Sequence, residues 1–256
     1  MKIFRKVPKN NMKHWKDFFQ NYRIIDIIGD IDLLYQVGYT VERKTISNEQ
    51  FNRLIESIEK QLQLSASDTL LDLCCGNGVV TYELAKKVKS VIAVDFSKPY
   101  IENAKKFKNA ENIEYFHGDV TNLRKITEVT SGKLYSKVLL YYAIAYIEPK
   151  DLENILLFIK QFITPDASIM LGSVLDNHRK WNYFNTMKRK LAYFIEHKLL
   201  DKDFGLGRWW TKTEIANISR KCEFSCRFAD QDPILHTAHY RFDVILKKMG
   251  TKEEEI

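Results

Sequence analysis

No apolar run approaches the roughly eighteen residues of a membrane-spanning helix, which argues against a transmembrane segment. The basic start, MKIFRKVPKN, lacks the apolar centre of a signal peptide. Cysteine is scarce, with four in 256 residues. Cys74 and Cys75 are neighbours, ill placed to bridge each other, so the set is no disulfide framework. A reduced chain in the cytoplasm is the reading. Internal repeats and low-complexity stretches are absent, and no metal is expected. His236 and His239 are spaced as a pair, but no Cys or acid stands at ligand spacing beside them.

What is present is an ordinary globular balance, 45% hydrophobic and 29% charged. The 40 Lys+Arg against 33 Asp+Glu give a net charge of +7. That charge is compatible with nucleic acid, an acidic surface or a phosphorylated substrate. The basic residues are spread out, however, and only Lys188, Arg189 and Lys190 run together, a pattern typical of a solvated helix face.

From Leu70 onward strands and helices alternate. Leu70–Leu73, Val91–Val94, Ile113–Phe116, Lys137–Tyr142 and Ser168–Val174 read as buried strands. Helices are predicted over Val79–Lys89, from a Ser97 cap through Phe107, over Asp151–Phe162, and over Thr213–Lys221. Strand–helix–strand units with near-continuous apolar strands argue a parallel sheet covered on both faces. Cys222–Phe228 and Tyr240–Lys247 add two strands, a possible antiparallel pair at the edge. Residues 1–64 read as an N-terminal helical lid, with one helix around Trp15, Phe18 and Phe19. A second runs through Phe51 to Leu62 with Ser47 or Asn48 as cap, and a loop spans Gln36–Thr40. Residues 65–250 form the main domain. A helical lid is expected at about 177–212, where Phe184, Met187, Leu191, Phe194 and Ile195 recur at helical spacing. Residues 251–256 read as a tail.

Three features fall at the ends of successive strands, where open α/β sheets bind ligands. Asp72-Leu73-Cys74-Cys75-Gly76-Asn77-Gly78 ends the first, with glycines that let backbone approach a ligand. Asp95, seventeen residues after Gly78, is placed to accept both hydroxyls of a ribose. Asp119, after Gly118, can accept from an exocyclic amine. The dinucleotide fingerprint is not met, because Thr81 stands at the third glycine position, and there is no phosphate-loop lysine. Each feature also has a plain structural reading: Asp72 or Asp95 as a turn or helix cap, Gly118-Asp119 as a turn.

Leu70 to Gly78, then Val94-Asp95, then Gly118-Asp119-Val120 resemble the class I S-adenosylmethionine-dependent methyltransferases over about residues 64–175. That resemblance implies a Rossmann-like, doubly wound, mostly parallel seven-stranded sheet with an antiparallel last strand. It implies S-adenosyl-L-methionine as cofactor and S-adenosyl-L-homocysteine as product. The Gly76–Gly78 loop, with Cys74 before it, would lie against the methionine part. Asp72 would position the amino group, Asp95 would bind the ribose, and Phe96 would pack on the adenine. Asp119 and Val120 would hold the adenine edge. The usual acid before strand four is Ser136 in this chain. Gln36-Val37-Gly38-Tyr39-Thr40, the Cys-Cys-Gly-Asn-Gly loop and His239-Tyr240-Arg241-Phe242-Asp243-Val244 resemble, more narrowly, small-molecule methyltransferases found with bacterial surface-polysaccharide genes. This points to a sugar or sugar-nucleotide acceptor, with Gly38 in a loop that closes over the cofactor.

A hydroxyl acceptor needs a general base within about 3 Å, and His178, after strand five, is the candidate. His117 reads as structural, while His14 and His197 sit on predicted helices. Strand four ends in Tyr141-Tyr142-Ala143-Ile144-Ala145-Tyr146. Tyr141 there would face the sulfonium and Tyr142 and Tyr146 the reacting groups, since aromatic faces favour a cation; packing against helices is the plain alternative. The segment lacks both the Asn/Asp-Pro-Pro-aromatic and the Pro-Cys motifs of base methyltransferases. Arg179, Trp209 or Arg241 would face the acceptor. A small molecule is therefore the favoured partner, with RNA as the alternative, then a non-catalytic cofactor-binding module. Oligomeric state is open.

Overall fold

A computed structural model of the chain describes residues 29–42, 44–122, 126–127, 130, 132–195 and 206–250, with Phe19 and the paired pieces Val7–Pro8 and Lys202–Asp203. The expected helix around Trp15 and Phe18, the residues His14 and His197, and the 251–256 tail lie outside the described residues.

The apolar runs form one seven-stranded sheet. Its strands are β1 (Thr69–Leu73), β2 (Ser90–Asp95), β3 (Ile113–His117), β4 (Tyr135–Tyr141), β5 (Ile163–Leu175), β6 (Phe224–Asp230) and β7 (Arg241–Lys248). Their order is β3-β2-β1-β4-β5-β7-β6. Neighbours from β3 to β5 are parallel, and β7 runs antiparallel between β5 and β6. The order reverses between β1 and β4, and at such a switch the carboxyl ends of the strands open a crevice. β1 is buried on both faces: Leu71 and Leu73 join one core, Leu70 the other. That follows from side chains alternating along a strand between two helix layers.

The helices are α1 (Asp30–Gln36), α2 (Asn48–Leu62), α3 (Val79–Ala85), α4 (Lys98–Phe107), α5 (Pro149–Ile159), α6 (Lys180–Tyr183), α7 (Met187–Tyr193) and α8 (Lys212–Lys221). Ser47 caps α2, its hydroxyl accepting from Gln50 N, and the helix buries Leu54, Ile55, Ile58 and Leu62. α8 opens with a reciprocal box. Thr211 Oγ1 accepts from Glu214 N at 3.1 Å, and Glu214 Oε2 accepts from Thr211 N at 2.8 Å. Thr211→Ala removes one side of it and should lower unfolding free energy by about 1 kcal/mol, read by urea denaturation. An unchanged midpoint would mean the box contributes nothing.

Several sequence expectations need correction. The helix predicted over Val79–Lys89 stops at Ala85, where Asn112 Nδ2 takes the carbonyls of Ala85 and Val88 and turns the chain toward β2. Ser97 occupies the cap position of α4 without a side-chain cap bond, because its hydroxyl donates to Phe19 O at 2.9 Å. The helical lid expected at about 177–212 is broken after Tyr183, and Thr186 starts a new helix by accepting from Arg189 N. Phe184 is buried, whereas Met187, Leu191, Phe194 and Ile195 are exposed, so the expected single apolar face is split. Gln36 belongs to α1 rather than to a loop. Among the described residues, no helix is long and apolar enough to cross a membrane.

Candidate functional site

The loop after β1 is pinned to the end of β2. Cys74 N and Cys75 N both donate to Val94 O, at 2.8 and 3.1 Å. Cys74 has φ 65°, Gly76 φ 60° and Gly78 φ 79°. Gly78 has no substitute: a Cβ there would lie 2.6 Å from Tyr115 Oη and 3.1 Å from Ala104 Cβ, besides the strain of the left-handed backbone. The loop therefore enters α3 in close contact with α4 and β3.

Asp95, the last residue of β2, closes this loop. Its Oδ2 accepts from Gly76 N at 2.9 Å and its Oδ1 from Ser97 N at 2.8 Å. Burial pushes its carboxyl up to about 6, against the backbone donors of Ser97 and Gly76. Each carboxylate oxygen has two acceptor sites, so two backbone bonds leave capacity for a pair of hydroxyls. Asp72 is buried one strand over. Thr81 Oγ1 donates to its Oδ2 at 2.6 Å. Burial pushes its carboxyl up to about 7, opposed by the Thr81 bond and reinforced by Asp95. Two buried acids, neither of them ion-paired among the described residues, suit a site that receives a positively charged ligand.

The segment after α1 lies over the glycine loop. Asn77 Nδ2 donates to Leu33 O and to Gln36 Oε1, both at 2.8 Å. Tyr100 Oη donates to Gln36 O at 3.1 Å. A Cβ on Gly76 would meet Val37 Cγ1 at 3.1 Å. Gly38 is exposed with φ 80°, in the turn between α1 and Tyr39. Tyr39 is buried, and its ring meets Tyr142 edge-on at 5.3 Å.

Tyr141 ends β4, and Tyr142 follows at φ 59°, its N donating to Gly172 O. A left-handed tyrosine at a strand end is the kind of strain that gathers at functional sites. The Arg241 guanidinium carbon sits 4.5 Å over the Tyr142 ring. Tyr146 lies in the short turn Ile144–Tyr146, 5.3 Å from the Phe19 ring. Phe96 is half-buried, 6.2 Å from Phe19. Val120 is buried, and Asp119 Oδ1 accepts from Thr121 N and Thr121 Oγ1. His117 Nε2 lies 2.9 Å from Phe96 O. His178 is exposed just past β5, its N donating to Asp176 Oδ1.

The structure thus gathers Asp72, Cys74, Gly76, Gly78, Asp95, Asp119 and Tyr141 at one sheet edge, with Tyr142, Tyr146 and His178 at neighbouring strand ends. Arg179 departs from expectation. Its guanidinium bonds Asp176 Oδ2, Ala238 O and Arg241 O, so it ties loops together rather than facing an acceptor. Sequence reading named Arg241, Tyr142 and the Gln36–Thr40 stretch but not the Gln36–Asn77 bond, the Tyr39–Tyr142 contact or the Arg241–Tyr142 stack. Gln36 was legible only as the start of the Gln36–Thr40 loop; its place in α1 and its bond to Asn77 were not. Among the described residues, no group of three or more His, Cys, Asp or Glu is placed to hold a metal ion.

Residues 70–166 match a family model described as a methyltransferase domain. A probable cobalt-precorrin-6B C(15)-methyltransferase (decarboxylating) of Methanococcus vannielii is 31% identical over 123 residues, 46% of this chain and 66% of that one. A probable ribosomal RNA small subunit methyltransferase A of Thermococcus sibiricus is 31% identical over 123 residues, 48% of this chain and 36% of that one. The match thus spans only part of each relative. The crystal structure of magnesium protoporphyrin IX methyltransferase from Synechocystis, with bound S-adenosylmethionine, aligns with 93% of this chain and 96% of its own. Its TM-score is 0.58 at 13% identity, a likeness of fold.

Proposed function

From a chain that belongs, through residues 70–166, to the methyltransferase domain family, and whose sheet has the class I strand order, we propose an S-adenosylmethionine-dependent methyltransferase acting on a small polar acceptor, a sugar or sugar-nucleotide derivative. The observation that carries the cofactor is Asp95: a buried acid at the end of β2 that orders the glycine loop and keeps acceptor capacity for the ribose. When bound, the cofactor supplies an electrophilic methyl group on a sulfonium. Asp95 binds the ribose hydroxyls, and Asp72 offers its carboxylate to the amino group. Phe96 packs on the adenine, with Asp119 and Val120 at its edge. The ring face of Tyr141 favours positive charge at the reacting end, and the Tyr142 phenol orients the acceptor. Val37, Gly38 and Tyr39 roof the glycine loop, and the described residues 177–195 and 206–212 supply a second wall. Positioning provides much of the acceleration. His178 takes the proton of the acceptor hydroxyl. The four free cysteines support a reducing compartment, the cytoplasm.

The test uses methyl-labelled S-adenosylmethionine and a cell extract containing small molecules and RNA. Label in small anionic molecules is expected. Label in ribonuclease-sensitive material replaces this acceptor with RNA. Cofactor binding without any labelled product makes the chain a binding module. With the acceptor in hand, His178→Ala should lower kcat about tenfold while the acceptor KM stays within about threefold. Wild-type kcat would remove His178 as the base.

A further inference from the structure

Two neighbouring buried polar atoms have no hydrogen-bond partner among the described residues: Arg241 Nε and Ser173 Oγ. Their residues are already joined, since Arg241 Nη1 donates to Ser173 O at 2.6 Å. Arg241 is 4% exposed and Ser173 1%. The pairing of β5 with β7 slips here, Phe242 facing Val174 and Val244 facing Leu171. Gly172 and Ser173 thus oppose Asp243 alone, and Ser173 takes φ 59°. A bulge of this kind re-aims side chains and is common beside binding sites.

A buried guanidinium without an ion-pair partner is costly to the fold. Arg241 makes no ion pair among the described residues. The nearest acid along β7, Asp243, instead accepts from Ser173 N at 2.7 Å and Gln231 Nε2 at 3.1 Å through one oxygen, Oδ1. Besides its bond to Ser173 O, Arg241 has the Tyr142 ring at 4.5 Å, the Tyr240 ring at 5.5 Å with a hydrogen bond to the Tyr240 hydroxyl, and Asp243 close enough to feel its charge. Tyr142 directly follows the strand end at which methyl transfer is placed above, and it touches Tyr39 over the glycine loop. A stacked, buried cation with an unpartnered N–H, bonded to a residue whose own hydroxyl is unpartnered, has the donors that an oxyanion takes. An oxyanion accepting from both would remove two desolvation penalties at once.

We propose that Arg241 and Ser173 bind an oxyanion of the methyl acceptor, a phosphate or carboxylate group, and so restrict the enzyme to anionic acceptors. This rests on the methyl-transfer reading for the location of the acceptor. The guanidinium is a specificity-determining group, held by the Ser173 carbonyl and the Tyr142 face.

The test titrates inorganic phosphate and, separately, acetate into the full chain saturated with S-adenosylhomocysteine, by calorimetry at low ionic strength. One saturable site is expected for at least one anion, and the tighter anion identifies the acceptor's group as phosphate or carboxylate. Arg241→Gln should weaken it at least tenfold. Ser173→Ala, which removes only the unpartnered hydroxyl, should weaken it about three- to tenfold. Affinity for S-adenosylhomocysteine should stay within about threefold in both variants. Absence of a saturable site, or equal anion binding in Arg241→Gln, overturns the proposal, since surface lysines would then explain any signal. A tenfold loss of S-adenosylhomocysteine affinity in Arg241→Gln also overturns it, by giving the guanidinium to the cofactor's own carboxylate. If Arg241→Gln does not fold, Ser173→Ala decides, and anion binding equal to wild type sinks the idea. Failure of the wild type to bind S-adenosylhomocysteine would end the methyl-transfer reading separately. Titration of the free protein would then still decide whether this pair binds anions.

Discussion

Asp95→Ala is expected to weaken S-adenosylhomocysteine binding about a hundredfold or more. A carboxylate accepting from two ribose hydroxyls makes two charge-assisted bonds, each worth about 1.5–3 kcal/mol. Loss of about 3 kcal/mol is a factor of about 100 in affinity. The same carboxylate accepts from Gly76 N and Ser97 N, so alanine also leaves two backbone donors without their partner and loosens the loop around the ligand. Asp95→Asn separates the effects. Its amide oxygen keeps one acceptor and loses the charge, so its affinity should fall between alanine and wild type. Calorimetric titration gives the affinities, and thermal unfolding shows that each variant is folded. An alanine variant that binds as tightly as wild type would defeat the ribose assignment.

The legible part of this chain is the part set by short-range pattern. Val91–Val94 is apolar on every residue and Leu70–Leu73 on all but Asp72, the pattern of a sheet covered on both faces, and β1 and β2 lie within a residue of their expected bounds. Asp72, Asp95 and Asp119 could be singled out as candidates because each stands near the end of an apolar run. What escaped depends on contacts across long sequence separations. Gln36 is explained only by Asn77, Tyr100 and Asn103, more than forty residues away. The helical periodicity after Asn182 was real, but Phe184 turned into the aromatic cluster of Tyr183, Tyr193 and Trp209, and the helix broke there. Arg241 was expected to face the acceptor, but its burial and its stack on Tyr142 were not legible. Its burial comes from the bulge in β5 and the left-handed turn at Tyr142, neither of which leaves a signature in residue type.

Asp72 should make both stability and binding pH-dependent, in opposite directions. Its carboxyl is near 3.8 when exposed and is pushed up to about 7 in the fold, chiefly by burial. Between those values the folded chain holds a proton that the unfolded chain has lost. The resulting stability is fully present below about pH 4 and is lost as pH rises through about 7. Asp95 adds a slope of the same sign, ending near 6. Asp72→Asn removes the larger part, keeps an oxygen for the Thr81 hydroxyl, and should stabilise the free protein at pH 8 by about 2–4 kcal/mol. Ligand binding should run the other way. The amino group of S-adenosylhomocysteine favours the ionised carboxylate, so wild-type affinity should fall about tenfold from pH 8 to pH 6 and binding near pH 7 should release a proton. Calorimetry in two buffers of different ionisation enthalpy reads that proton. In Asp72→Asn the proton release should vanish and the affinity at pH 8 should drop at least tenfold. A variant that is more stable and still binds with wild-type affinity and proton release would show that Asp72 only anchors Thr81. A stabilised variant that no longer discriminates pH would show that the fold tolerates a costly buried acid because the ligand's ammonium group needs it there.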